Sequence, residues 1–428
     1  MYLGNVFALI SLMKTKTPVL ATLLAALLFT AVSCSKQEAN QAKEKVAQAA
    51  TNAKDAIDVA VPLNGKDDPA AREKERFNED WRNLESIRNA QAMQARAQEA
   101  SVNVTFVANA KESFKGLDAK AINDAPVSIP LKGDVSGPSV LKTQVYLDRL
   151  NFSVGALDGR WGRNTAIALW WYQRSRGINA AEPGALDEAT FRSLAAGAAG
   201  VPALVQHTLT ADDVKGPFVT IPEDVYEKEK LDCLCYESKK EKLAEVFHTS
   251  QDFLEQLNPD VDFDSVDAGS QIWAPNVRDG AATTTGDIAR VVVSIRGNTF
   301  NAFDAGGNLI FHAPTTLGSQ YDPSPNETTE VKSVVENPHF HYQPTLFHEV
   351  PDSDPEANLN PGPNSPVGVV WIALSKPHFG IHGTSDPESI GYASSHGCVR
   401  LANWDAREVA KRIRPGVQVE FLDTRGGA

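Results

Sequence analysis

The stretch that decides the reading is Gly380-Ile381-His382-Gly383-Thr384, followed downstream by Ser395-His396-Gly397-Cys398-Val399-Arg400-Leu401. Cys398 stands two residues from His396 across a glycine, and a second glycine-flanked histidine, His382, lies upstream. A free thiol, with a pKa of about 8.5, needs a neighbouring base or cation to react at neutral pH. The spacing predicts that a tight turn at Gly397 carries the His396 imidazole beside the Cys398 sulfur. An imidazolium there lowers the thiol's pKa. The same turn leaves backbone N–H groups as candidate oxyanion donors. The bland alternative is a buried cysteine near a core histidine. Two histidines converging on one cysteine argue against it.

Around this stretch the pattern is β-rich. Residues 289–295 and 299–303 are rich in β-branched and aromatic side chains and are joined through Gly297-Asn298, a hairpin signal. Residues 308–312 and 368–374 read as further strands, and a short helix is predicted near 405–412. His339, His341 and His348 fall in a Pro-rich insertion, which reads as a lid or surface loop over the site; no metal is assigned to it.

The upstream histidine followed by S/T-H-G-C resembles the L,D-transpeptidase catalytic domain. The resemblance runs from Arg290 to Asp423 and includes Asn360-Pro361-Gly362-Pro363-Asn364-Ser365-Pro366-Val367-Gly368 before a strand. It implies a mainly β, sandwich-like catalytic domain in which Cys398 is the nucleophile and His396 its base. Ser395 stands where a backbone carbonyl orients that imidazole, and Gly397 completes the motif. His382, Gly383 and Arg400 line the substrate site; Arg400 either pairs with a substrate carboxylate or is structural. The implied substrate is a peptidoglycan stem peptide. The thiolate attacks the amide after the third residue, D-alanine leaves, and an amine on a second stem resolves the acyl-enzyme as a 3→3 cross-link. Water as acceptor makes the same site an L,D-carboxypeptidase. A wall-binding or wall-tethering lipoprotein without activity is the non-enzymatic alternative. No cofactor is implied, because one amide is exchanged for another.

Residues 139–196 read L-x-R-L-x-F-x-x-G-x-L-D-G-R-W-G-R-N-T-x-x-A-L-x-x-Y-Q through their centre and resemble a three-helix peptidoglycan-binding domain. Glycines in its turn permit positive φ, Asp158 is placed for an Asx turn, and Thr165 is expected to cap the next helix. Trp170 and Trp171 are adjacent and cannot share a helix face, which predicts one in the core and one on the surface for sugar stacking. Residues 201–277 resemble a degenerate lysin-motif (LysM) domain: a strand near 206–209, two short amphipathic helices and a closing strand over 268–275, with a long insertion after the first strand. Cys233 and Cys235 flank one leucine within that insertion, and burial as two thiols is the default reading over a disulfide or half a metal site.

Residues 19–32, VLATLLAALLFTAV, are too short to span a bilayer comfortably, which takes about 20 apolar residues. Lys14 and Lys16 precede the run and Ala31-Val32-Ser33-Cys34 follows it, a secretory signal that resembles a bacterial lipobox. By that resemblance Cys34 is lipidated, and Ser35 after it favours the outer membrane. The partition is a signal over 1–33, a helical spacer over 34–110, a peptidoglycan-binding-like domain over 111–200, a LysM-like α+β unit over 201–280 and the catalytic domain over 281–428. The chain's 428 residues suffice for several cores, and its formal net charge of −13 argues against nucleic acid as a partner. The expected setting is the bacterial envelope, in the periplasm, with peptidoglycan as partner and a lipid anchor in the membrane.

Overall fold

The computed structural model describes residues 104–277, 286–319 and 321–422. The signal run, Cys34 and the spacer up to residue 103 lie outside the described residues. Among the described residues no helix is long and apolar enough to cross a membrane.

A short parallel pair, β1 (Phe106–Ala108) and β2 (Val127–Ile129), brackets α1 (Ala119–Asp124). Three helices follow: α2 (Pro138–Arg149), α3 (Arg163–Ser175) and α4 (Glu188–Gly197). Pro138 presets φ at the start of α2, and Val140, Leu141, Val145 and Leu147 bury its inner face. Gln144 on α2 organises the turn before α3. Its Nε2 donates to Asp158 Oδ1 at 3.0 Å and to the Arg160 carbonyl at 2.9 Å, and its Oε1 accepts the Gly159 N–H at 2.8 Å. Asp158 Oδ1 takes the Arg160 N–H at 2.9 Å, closing an Asx turn. Thr165 does not cap α3; Gly162 holds the N-cap position, and Thr165 Oγ1 accepts from Gln144 Nε2 instead.

The predicted division of labour between Trp170 and Trp171 fails. Both are 1% exposed, because α3 is covered on one side by its own helical unit and on the other by the strand Leu309–Pro314. The Trp171 ring lies 6.0 Å from that of His312 on this strand. Neither indole is open to a sugar.

The next unit pairs β3 (Leu204–Thr208) antiparallel with β4 (Gln271–Pro275). Between them lie α5 (Ala211–Val214), α6 (Val225–Lys228), α7 (Lys239–Val246) and α8 (Gln251–Leu257) around a small core of Leu209, Leu243, Phe247, Leu254 and Ile272. Cys233 and Cys235 are not buried thiols: they form a disulfide and both are half-buried. The Leu234 between them is buried, and its backbone bonds with the Pro361 carbonyl at 3.0 Å and the Asn364 N–H at 2.9 Å. The disulfide loop thus braces the segment that enters the catalytic sheet.

That sheet comprises β5 (Arg290–Ser294), β6 (Thr299–Phe303), β7 (Leu309–Pro314), β8 (Thr328–Glu336), β11 (Val370–Leu374), β12 (Gly380–His382), β13 (Val399–Arg400) and β14 (Gln418–Leu422). The numbering leaves β9 (Phe340–Tyr342) and β10 (Ala357–Leu359) to a separate two-stranded piece in the insertion. Strand order is β13-β12-β11-β8-β14-β5-β6-β7. The expected sandwich is one continuous mixed sheet whose two halves share a core. Val291, Val293, Phe300 and Phe311 from one half meet Val370, Ile372, Ile381 and Val399 from the other, with Ala406 and Val409 of α9 (Asn403–Arg412). Val292, Phe303 and Leu309 point to the opposite face and join the core of the helical unit. With both faces covered, residues 291–293 read as an unbroken apolar run rather than an alternating one.

The units are therefore packed into one another, and the described residues all fall within a single compact unit. At the junction Ser153 Oγ donates to Asp405 Oδ2 at 2.8 Å, and His248 stacks on Trp404 at 5.0 Å. Burial, first, and the nearby Asp148 carboxylate push the Asp405 carboxyl up to about 8.

Candidate active site

Strand register builds the site. β12 runs parallel to β13, with Ile381 opposite Val399 and His382 opposite Arg400. On its other side β12 is antiparallel to β11, which sets Trp371 opposite His382. Side chains alternate along a strand, so Trp371, His382 and Arg400 stand in a row on one face. Cys398 immediately precedes β13, and the Arg400 guanidinium acts on both its thiol and the His382 ring. The Trp371 ring stacks on His382 at 5.5 Å. Ile381 and Val399 face the core behind them.

His382 is 4% exposed, and its Nδ1 lies 2.6 Å from the Gly383 carbonyl oxygen. A carbonyl only accepts, so Nδ1 carries the proton and a neutral ring leaves Nε2 as an acceptor. Burial, chiefly, and the Arg400 charge hold the imidazolium pKa down at about 3, so the ring is neutral at physiological pH. Gly383 is required by close approach: a Cβ there would stand 2.1 Å from Asn403 Oδ1. That oxygen accepts the N–H groups of Thr384 (3.1 Å) and Val369 (3.2 Å), locking the end of β12.

Cys398 is half-buried, with Sγ 3.6 Å from the His378 carbonyl oxygen. Burial pushes its thiol up, while the Gly380 N–H and the Arg400 guanidinium pull the other way. The direction is opposite to the sequence expectation of a thiol lowered by His396. The pair on this face is a thiol and a neutral imidazole, not a thiolate and an imidazolium. Arg400 has its Nε buried without a hydrogen-bond partner among the described residues.

His396 is turned away from this face. Its Nε2 lies 2.6 Å from Glu349 Oε1 in the insertion, and its ring meets Phe347 edge-on at 4.9 Å. Gly397 explains the divergence. With φ at +100° it reverses the chain between the two side chains, and a Cβ there would stand 2.7 Å from the Phe379 ring. The predicted tight turn is present, but it separates His396 from the sulfur instead of joining them. Ser395 also differs from expectation. Its carbonyl accepts the Ser319 N–H at 3.2 Å rather than orienting His396. Its hydroxyl donates to the Cys398 carbonyl at 2.7 Å and accepts the Gly397 N–H at 3.2 Å, so that N–H is not a free oxyanion donor. Ser395 fixes the turn that presents Cys398.

The role given to Ser395 and His396 from the sequence thus falls geometrically to Gly383 and His382. Trp371 and Glu349 went unread. Trp371 could be found only from strand register. Glu349 follows His348 in the insertion, and its acidic side chain beside several histidines was the available signal.

Residues 288–421 match the family model described as the L,D-transpeptidase catalytic domain. Over 181 residues the chain is 30% identical to the putative L,D-transpeptidase YkuD of Bacillus licheniformis, covering 42% of this chain and 92% of that relative. The chain belongs to the L,D-transpeptidase family. A second relative, the putative L,D-transpeptidase YkuD of Bacillus subtilis, is 47% identical over 62 residues, 14% of this chain and 38% of that one. Among solved structures, the L,D-transpeptidase from Mycobacterium smegmatis is similar at 19% identity and a TM-score of 0.27, covering 37% of this chain and 65% of that chain. The matched region of this chain holds Cys398, His382 and His396.

Proposed function

We propose that the protein is a peptidoglycan L,D-transpeptidase working through a Cys398 acyl-enzyme and making 3→3 cross-links between stem peptides. The observation that carries this reading is His382, paired with Arg400 across β12 and β13 and with its Nδ1–H held by the Gly383 carbonyl, beside an Arg400 charge that also reaches the Cys398 thiol. In this reading Nε2 of His382 takes the thiol proton as Sγ attacks the carbonyl after the third stem residue. The proton then passes to the departing D-alanine amine, leaving a thioester. An amine on a second stem gives up a proton to the same nitrogen, attacks the thioester and regenerates the thiol. Starting from a neutral pair means that no ion pair must be desolvated beforehand. The orphaned Arg400 Nε suits a substrate carboxylate, which favours that role for Arg400 over a purely structural one.

We place the protein in the bacterial envelope, in the periplasm, with Cys34 lipidated for anchoring in the outer membrane. The Cys233–Cys235 disulfide supports an oxidising compartment. Phase partitioning of wild type and Cys34→Ala tests the anchor; an aqueous wild type overturns it. Residues 111–200 and 201–280 are proposed as wall-binding modules, which retention of the full chain on sacculi tests.

The deciding experiment incubates the full chain with disaccharide-tetrapeptide and weighs the products. A dimer lighter by one D-alanine, absent with Cys398→Ser, supports transpeptidation. Tripeptide alone makes the protein an L,D-carboxypeptidase. No product and no acyl-enzyme leaves a wall-tethering lipoprotein.

A further inference from the structure

Three segments far apart in the chain meet at the mouth of the site. Asp322 lies in the loop after β7, His348 in the connection between β9 and β10, and His396 in the turn before Cys398. One ligand-type atom from each lies within 4.8 Å of the other two. His348 Nδ1 is 2.7 Å from Asp322 Oδ2, and His396 Nε2 is 2.6 Å from Glu349 Oε1. Glu349 also comes within 3.6 Å of His348 Nδ1. Two imidazole nitrogens and the Asp322 carboxylate therefore converge on one small volume, and the Glu349 carboxylate borders both rings.

We propose that Asp322, His348 and His396, with Glu349 as the fourth donor, form a binding site for a divalent zinc-like cation. Metal–nitrogen distances of about 2.0–2.1 Å and metal–oxygen distances of about 2.0–2.2 Å put tetrahedral ligand atoms roughly 3.3 Å apart. The spacings of 2.6, 2.7 and 3.6 Å among these side chains straddle that value. The hydrogen bonds now joining the rings to the carboxylates aim these nitrogens inward, and binding an ion requires their protons to leave or to move to the other ring nitrogen. An all-nitrogen-and-oxygen set with two imidazoles favours zinc, nickel or copper over magnesium or calcium. The rings of Tyr321, 5.4 Å from His348, and Phe347, 4.9 Å from His396, wall the cluster. His348 and His396 are 46% and 31% exposed, so an entry path exists.

The site would join the insertion to the catalytic turn. Glu349 and His348 belong to the insertion, whereas His396 is two residues from Cys398. A bound ion would tie the β9–β10 connection to the turn that presents Cys398.

The test uses the untagged full chain, stripped with chelator and dialysed against zinc chloride. The expected result is one zinc per chain at this site. His348→Ala and Asp322→Asn should each weaken binding at least tenfold, and Cys398→Ser should leave it unchanged. X-ray absorption on the wild-type zinc form should show nitrogen and oxygen ligands without the sulfur distance of about 2.3 Å. Zinc should also slow proteolysis between residues 343 and 356. Zinc uptake no greater than that of the His348→Ala/Asp322→Asn double variant overturns the proposal. So does a sulfur ligand, which would put the ion on Cys398. If either variant unfolds, the absorption spectrum and proteolysis of the wild type still decide it.

Discussion

The two sides of Cys398 are built on opposite principles. On one side His382 is enclosed by Trp371 and the strand pair, is held neutral by burial, and has its proton pinned on Nδ1 by a backbone carbonyl. On the other side His396 is half exposed and faces a carboxylate on a long insertion. Despite the cost of burial, the hydrogen bond from His396 holds the Glu349 carboxyl below its usual range. The first side suits proton transfer, since a fixed tautomer in a dry site needs no rearrangement. The second suits gating, since its partners belong to a segment outside the main sheet. Position in the S-H-G-C motif is therefore a poor guide to role; cross-strand register is a better one.

The sharpest way to break this comparison is to remove each histidine in turn. His382→Ala should lower the rate of acyl-enzyme formation on a tetrapeptide by about 10²–10⁴, the usual contribution of a general base. His396→Ala should lower it less than about tenfold. Intact-mass measurement of the acyl-enzyme over time gives both numbers, and equal losses would erase the distinction. Arg400→Gln comes next. Losing a charged hydrogen bond of about 1.5–3 kcal/mol should raise KM roughly 10- to 100-fold for stems with a free carboxylate, and leave amidated stems little changed. A uniform rise would return Arg400 to a structural role.

Gly397→Ala tests the turn that parts the two sides. A positive-φ residue with a clash on Phe379 should destabilise the protein by about 1–3 kcal/mol in urea unfolding, and slow acylation beyond what stability explains. The smallest expected effect is on acid stability. The His382 pKa is lowered on folding, so the unfolded chain takes up its proton first as pH falls. The stability contributed is full above about 6.5 and is lost as pH drops toward 3. His312, also held at about 3 by burial, adds in the same direction. Urea midpoints between pH 4 and 7 should fall with acid, and His382→Gln should flatten the slope by up to about 1.4 kcal/mol per pH unit. An unchanged slope would mean that His382 is not the dry partner described.

What the sequence revealed follows from the range of the interactions. The Gly297-Asn298 hairpin was legible because its signal is local, and Asn298 does take φ at +50°. The strands β5, β6, β7 and β11 and helix α9 were legible from apolar runs. β8 and β14 were passed over because Thr, Glu, Lys and Gln interrupt their apolar positions, and their pairing partners lie far away in the chain. Within the site, Cys398 stood out through its neighbours. The partnership with His382 did not, because it depends on which residue of β12 faces which residue of β13. The two-residue spacing of His396 suggested a contact that a single positive φ at Gly397 prevents. Trp171 misled for a similar reason: its helix alone would expose it, and only the sheet packed against α3 covers it.

The place of β14 in the sheet has a bearing on how the molecule comes into being. Gln418–Leu422 is the last of the eight strands in chain order, yet it lies between β5 and β8 and bonds to both. As the polypeptide emerges N-terminus first into the compartment where it folds, the hairpins before β14 and the Cys398 segment appear while the slot between those two strands is vacant. Their facing edges then carry unpaired N–H and C=O groups, which invite pairing with other chains. Closing the gap links residues more than a hundred positions apart, a slow step by the usual dependence on contact distance. The half bearing Cys398 is seated against the other only when that strand slides in. Until β14 arrives, Cys398 stands in an unfinished frame.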